Sequence, residues 1–273
     1  MGRISYLFGV LALFISLASC EEVIDVDLNY ADPVFVAEAR IYKDSVSVVR
    51  LSLTASYFSA EEPVYIDNAT VTIKDGITSE VLVYTGNGYY NGSLIIGTEE
   101  TLYEIEIMYN GKVYKGTSYM PAKTDLISSS FGKSDDPSTV NPFGKTVFTI
   151  DCVFADDPVS DNFYLIRIVD TRDKLIEKYY LLTEDQSNSG NIENVNDTIH
   201  FAESIFYDGG EVKVQLYSVD QQVYNYFMQL NDVLFWKRRV MPPTPYNPVS
   251  NIDNGVQGYF AAWAYDSETL ILE

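Results

Sequence analysis

Histidine is the scarcest residue type here: His200 is the single copy in 273 residues. Ser-His-Asp or Cys-His catalysis would have to pass through it, and no Gly-x-Ser-x-Gly elbow exists to serve it. His200 falls in the strand-like stretch 198–206, where a structural or exposed role is expected. Cysteine is nearly as rare, with Cys20 and Cys152 alone. One histidine and two cysteines make a closed zinc site, which takes four such ligands, a poor expectation, so no metal is expected. Basic residues are few: 18 against 39 acidic, a net charge of −21. Such a chain repels nucleic acid and anionic headgroups, and neither is expected as a ligand. The glycines Gly86, Gly88 and Gly92 have the wrong spacing for a nucleotide loop, and no cofactor is expected. Long apolar runs are missing too. The longest, 4–17, falls short of the about 20 residues a membrane-spanning helix needs.

That run is nevertheless informative. Arg3 supplies a positive start, 4–17 an apolar middle, and Leu17-Ala18-Ser19 a small-residue exit before Cys20. Together they read as an export signal that is cut off. Leu17-Ala18-Ser19-Cys20 also resembles a bacterial lipobox, whose cysteine is acylated and becomes the new N-terminus. The blander reading is an ordinary secretory signal with Cys20 as a bystander. Stable anchoring takes more than one acyl chain, and a bacterial lipoprotein carries enough. The myristoylation pattern fails, because position 6 is Tyr6 rather than Ser or Thr. Glu21, Glu22, Asp25 and Asp27 follow at once, either as a solvated acidic tether or as a signal for surface export.

Cleavage there leaves 20–273, one large or two ordinary domains. An apolar fraction of 47% argues for a globular fold. With Cys20 acylated, no intramolecular disulfide can form, and Cys152, inside the apolar run 147–154, reads as a buried, inert thiol.

The first half reads as short strands punctuated by turns. Strands are expected at 34–41, 46–56, 69–74, 81–84, 103–109 and 112–119. In 46–56, Val49, Leu51 and Leu53 alternate with Val48, Arg50 and Ser52. Asp75-Gly76 marks a turn, and Asn110-Gly111 a hairpin. Six or seven strands in about 90 residues point to an immunoglobulin-like sandwich, and Gly97-Thr98 before Leu102-Tyr103 resembles its tyrosine corner. The stretch 120–144, rich in Pro, Gly and Ser, reads as a boundary. Strands resume at 146–154, 163–169, 176–182, 198–206 and 212–217, with a loop at 184–197. Val223, Tyr226, Phe227, Leu230, Val233 and Leu234 then recur at helical spacing. A Ser218/Gln221 capping box, cations at Lys237, Arg238 and Arg239, and Pro242-Pro243 bound a helix of about 219–239. Strands at 258–264 and 269–272 close the chain.

The expected fold is therefore mostly β. The divisions are a signal peptide (1–19), an acidic tether (20–32), a sandwich domain (33–122), a linker (123–145) and a second β-rich domain with the one long helix (146–273). Two carboxylate pairs, Asp135-Asp136 and Asp156-Asp157, each precede proline. Two carboxyl groups can suffice for glycoside hydrolysis, but 39 acidic residues make such pairs commonplace. Calcium on loop carboxylates is the stronger alternative, although no EF-hand loop exists. Asp44-Ser45-Val46 and Asp197-Thr198-Ile199 resemble O-glycosylation acceptors.

Several stretches together resemble a large Bacteroidota family of outer-membrane lipoproteins carrying a domain of unknown function. They are the lipobox with its acidic stretch, 34–39, 63–75, Gly88-Tyr89-Tyr90 and 103–107. The most telling are 247–252 with Asn251, then Gly255, then Gly258-Tyr259-Phe260. Gln257 departs from the pattern, where a smaller residue is expected. The resemblance covers nearly the whole chain after the leader and carries over no catalytic residue. It implies an envelope lipoprotein encoded beside TonB-dependent transporters. The function expected is a lipid-anchored accessory or binding protein of the outer membrane, surface-exposed or on the periplasmic face. Its expected partner is a TonB-dependent transporter, and its ligand is unknown. A surface hydrolase acting on glycan or peptide, and a structural or adhesive surface protein, are the alternatives.

Overall fold

A computed structural model describes residues 32–55, 63–133, 147–155, 162–170, 178–182, 194–202, 211–235 and 246–271. The leader, the lipobox with Cys20, the acidic residues Glu21, Glu22 and Asp25, both aspartate pairs, Lys237 to Arg239 and Pro242-Pro243 lie outside the described residues.

Alternating apolar and polar side chains give the first half eight strands. They are β1 (Phe35–Tyr42), β2 (Val46–Leu53), β3 (Thr70–Lys74), β4 (Ser79–Val81), β5 (Val83–Gly86), β6 (Tyr89–Ile96), β7 (Thr101–Tyr109) and β8 (Lys112–Met120). The order β1-β2-β6-β5 faces β4-β3-β7-β8. This is the A-B-E-D against C-F-G arrangement of an immunoglobulin-like sandwich, with the short β4 added at one edge. The tyrosine corner is present. The buried Tyr103 hydroxyl accepts from the Thr98 N–H at 2.7 Å and donates to the Thr98 carbonyl at 3.2 Å. Asn110 (φ 49°) and Gly111 (φ 73°) form the two-residue turn between β7 and β8, where both positions need positive φ.

The second half adds β9 (Leu126–Lys133), β10 (Val147–Ala155), β11 (Phe163–Asp170), β12 (Lys178–Leu182), β13 (Asn194–Ala202), β14 (Glu211–Val219), the helix α1 (Gln221–Phe235) and β15 (Gln257–Ile271). It does not stand apart from the first. The 15-residue β15 pairs antiparallel with β14 on one side and parallel with β1 on the other. One eight-stranded sheet, β12-β11-β14-β15-β1-β2-β6-β5, therefore runs through both halves, and residues 33–273 make one compact unit.

The period of two sorts β15 onto two faces. Phe260, Ala262 and Ala264 complete the core under the four-stranded sheet, beside Ala39, Ile41, Leu51, Ile105 and Ile107. On the same face the small sheet β13-β10-β9 covers β11 and β14, burying Ile150, Cys152 and Phe154 against Ile166, Val214 and Leu216. On the opposite face α1 sets Val223, Tyr224 and Phe227 against Leu165, Tyr217, Tyr259 and Trp263.

Several expectations are corrected. The expected linker holds a strand, β9. Its backbone is satisfied partly by β10 and partly by carboxylates of β15: Asp266 accepts from the Leu126 N–H, and Glu268 from Ser129. The two closing strands are one. The stretch 81–84 is two short strands broken at Leu82, whose N–H turns to Val71. β6 was not anticipated, because Gly92 and Ser93 interrupt its alternation. α1 begins at Gln221 rather than 219, and no Ser218/Gln221 box caps it. Asp220 does, accepting from the Val223 N–H at 2.8 Å, while Ser218 is turned to the Thr124 N–H.

Candidate functional site

The C-terminal motif forms a joint. The Asn251 amide donates to the carbonyls of Thr117 and Phe260 and accepts from the Phe260 N–H at 2.8 Å. Asp253 exchanges hydrogen bonds with the Lys115 backbone, and the Asn254 amide reaches the Val113 carbonyl. The loop thereby seals the open edge of β8. Gly255 (φ 78°) turns the chain. Gly258 (φ 101°) then passes so close to β1 that a Cβ there would lie 2.1 Å from the Ala37 carbonyl oxygen. Tyr259 faces α1 and Phe260 the sandwich core. All five motif residues have a structural task in this joint, and none is presented to a ligand by it alone.

A cleft of about 600 Å³ opens nearby, where the end of β8 and the chain leading to β9 meet the ends of β10 and β14 and the start of β11. Its size suits a small-molecule site. Asp220 sets one wall. Besides capping α1, its second oxygen accepts from the Ser118 hydroxyl (2.6 Å) and the Tyr119 N–H (2.9 Å). Tyr119, 41% exposed, lines the cleft, and the half-buried Phe163 lies against Tyr224 with ring centroids 5.3 Å apart. Glu100, Asn162 and Gln221 add polar groups to the lining.

Charges tie the junction together beside the cleft. The Lys43 ammonium meets Glu99 at 2.8 Å, and Glu99 also accepts from the Lys123 N–H. Lys123 in turn bridges Asp125 at 2.5 Å and Asp266 at 3.6 Å. The hydrogen bond from Lys43 holds the Glu99 carboxyl below its usual range, and that from Lys123 does the same for Asp125. Lys123 is raised, chiefly by Asp125. These pairs fix the junction of the two halves, and the Lys123 charge is already neutralised.

A second, more open groove of about 550 Å³ crosses the outer face of the four-stranded sheet beside the Asn251 loop, lined by Lys74, Glu104, Glu106 and Lys115. On the opposite side of the sandwich, Arg50 is held between Tyr65 and Tyr89, 4.7 and 5.0 Å from their ring centroids, and donates to the Tyr65 hydroxyl. Cys152 is buried in the second core. His200 occupies β13, opposite Thr149. Among the described residues no group of three or more His, Cys, Asp or Glu could hold a metal ion. No described helix is long and apolar enough to cross a membrane.

The sequence reading missed Tyr119, Phe163, Asn162 and Asp220 as neighbours. Only Asp220 left a signal, as a capping residue just before a helical period; the meeting of four strand ends leaves none.

Comparison with known proteins adds little on function. No curated protein matches the chain. Among solved structures, the crystal structure of domains A168-A170 from titin matches at 7% identity and a TM-score of 0.19, over 67% of this chain and 56% of that one. The chain thus spans little more than half of the titin fragment, and so low a score carries no weight. A family model described as "Domain of unknown function (DUF4249)" matches residues 21–269, nearly everything after the leader, and the chain belongs to that family.

Proposed function

We propose that the protein is a lipid-anchored binding or accessory protein of the outer membrane, acylated at Cys20, that captures a ligand for a TonB-dependent transporter or assembles with one. The observation that carries the binding role is the junction cleft. It is a preformed concave site with an exposed aromatic ring, convergent polar groups and walls pinned by Asp220 and Lys123. The anchor rests on Leu17-Ala18-Ser19-Cys20, the surface location on Glu21, Glu22 and Asp25, and the transporter partnership on the resemblance described above.

The test is affinity purification of the full lipidated chain from native membranes, with mass spectrometry of what accompanies it. A TonB-dependent transporter is expected. Recovery of the protein alone would count against the reading. Hydrolysis of a glycan or peptide, abolished by Asp156→Asn or Asp157→Asn, would replace it with the hydrolase. In cells fed a labelled fatty acid, Cys20→Ala is expected to lose the label, and a label retained in that variant would remove the anchor.

A further inference from the structure

We infer that the junction cleft takes an uncharged saccharide of a few rings, which it holds by stacking on Tyr119 and hydrogen bonding to Glu100 and Gln221. The inference rests on the binding role proposed above and names its ligand class. A sugar ring offers an apolar C–H face and a rim of hydroxyls. The lining of the cleft offers both kinds of group, the apolar and aromatic side chains of Tyr119, Phe163 and Pro121 and the carboxylate and amide groups of Glu100, Asn162 and Gln221.

Charge narrows the choice further. Three carboxylates, Glu100, Asp125 and Asp220, line the cleft against one cation, Lys123, in a chain of net charge −21, so an anion is disfavoured. A cationic ligand would want several uncommitted carboxylates. Asp125 is bound to Lys123, and Asp220 is occupied by Ser118, Tyr119 and Val223. Among the described residues, that leaves the Glu100 carboxylate without a hydrogen-bond or ion-pair partner. A single carboxylate acceptor beside an amide suits hydroxyl donors. Glu100 is also held at φ 54° in the turn before β7, with its N–H bonded to the Met120 carbonyl, which fixes where its side chain starts.

The experiment titrates the full chain in detergent, by calorimetry, with neutral trisaccharides of glucose, mannose, galactose, xylose and N-acetylglucosamine, and with spermidine as the cationic probe. At least one saccharide is expected to bind. Tyr119→Ala and Glu100→Asn should each weaken it at least tenfold, while Tyr84→Ala, on the edge strand β5, leaves it unchanged. Asn tolerates the positive φ at position 100, and Tyr119 is exposed, so both variants should melt like the parent; if one does not, the other carries the test. Failure of every saccharide, binding unaltered in both variants, or binding of spermidine alone would overturn the inference. Co-purification of the transporter with the parent chain separates the two readings. A complex recovered with a parent chain that binds no saccharide sinks the ligand class and leaves the accessory role standing, whereas Tyr119→Ala is expected to keep the transporter and lose the sugar.

Discussion

Glu80 shows how one buried charge can join two sheets. It lies on β4 of the four-stranded sheet, 7% exposed, yet its carboxylate accepts from the N–H groups of Ser93, Leu94 and Ile95 on β6 of the other sheet. Burial pushes its pKa up, but those backbone hydrogen bonds outweigh burial and hold it below the ordinary value. A depressed folded pKa contributes stability that is complete above the unfolded value, about 4.3 for Glu, and disappears as pH falls through the folded one. Glu80→Gln should therefore cost about 1–3 kcal/mol at pH 7, because an amide NH₂ meets backbone donors. Its urea midpoint should also decline less steeply than the parent's below about pH 4.3. Equal midpoints at pH 7 would remove Glu80 from the account. Gly258 is the matching backbone case. With φ at 101° and a Cβ only 2.1 Å from the Ala37 oxygen, Gly258→Ala should cost about 3 kcal/mol or more, read from the same midpoint.

At the scale of elements, Asp220 serves α1 and β8 together. Asp220→Ala should cost more than the about 0.5–2 kcal/mol of a lost cap, because the 2%-exposed Ser118 and the Tyr119 N–H lose their acceptor as well. Asp220→Asn should recover the cap alone, since its amide nitrogen would face the Tyr119 N–H. Thermal melts that rank Ala and Asn equally would deny the second role. The elements were legible wherever the period was unbroken. β2, β3, β7, β8 and the Asn110-Gly111 hairpin follow from alternation and turn chemistry, and α1 from its apolar stripe. β6 was hidden by Gly92-Ser93, and β9 by its serines and by backbone bonds that run from Leu126 to Asp266 and from Ser129 to Glu268, more than 130 positions away. The cleft was illegible for the same reason. Tyr119, Phe163 and Asp220 become neighbours only through the sheet order, and pairings that distant leave no local pattern. The motif at Asn251 to Phe260 was visible as a pattern, but its task in joining β8, β1 and β15 was not.

At the scale of the whole molecule, the sequence pointed to a sandwich at 33–122 followed by a separate β-rich domain. The sheet order predicts that 33–122 cannot stand alone. β1 gives its outer edge to β15 from Val36–Gln257 to Tyr42–Trp263. Phe260, Ala262 and Ala264 fill part of the sandwich core, and the Ala262 N–H is bonded to the Ser118 hydroxyl. A fragment ending at residue 122 would lose these side chains and expose both β1 and β8 as unpaired edges, which invite association. Losing a buried Phe alone costs about 3–5 kcal/mol, a large share of a small domain's stability. The fragment should therefore aggregate or melt without a sharp transition. In the intact chain the β7 and β10 amides, which lie in different small sheets over one shared floor, should exchange through the same global opening, with equal free energies in a denaturant series. Protection of β7 that persists after β10 has opened, together with a soluble fragment 33–122 that melts sharply, would mean that the sandwich folds on its own and that β15 is docked onto it rather than part of its core.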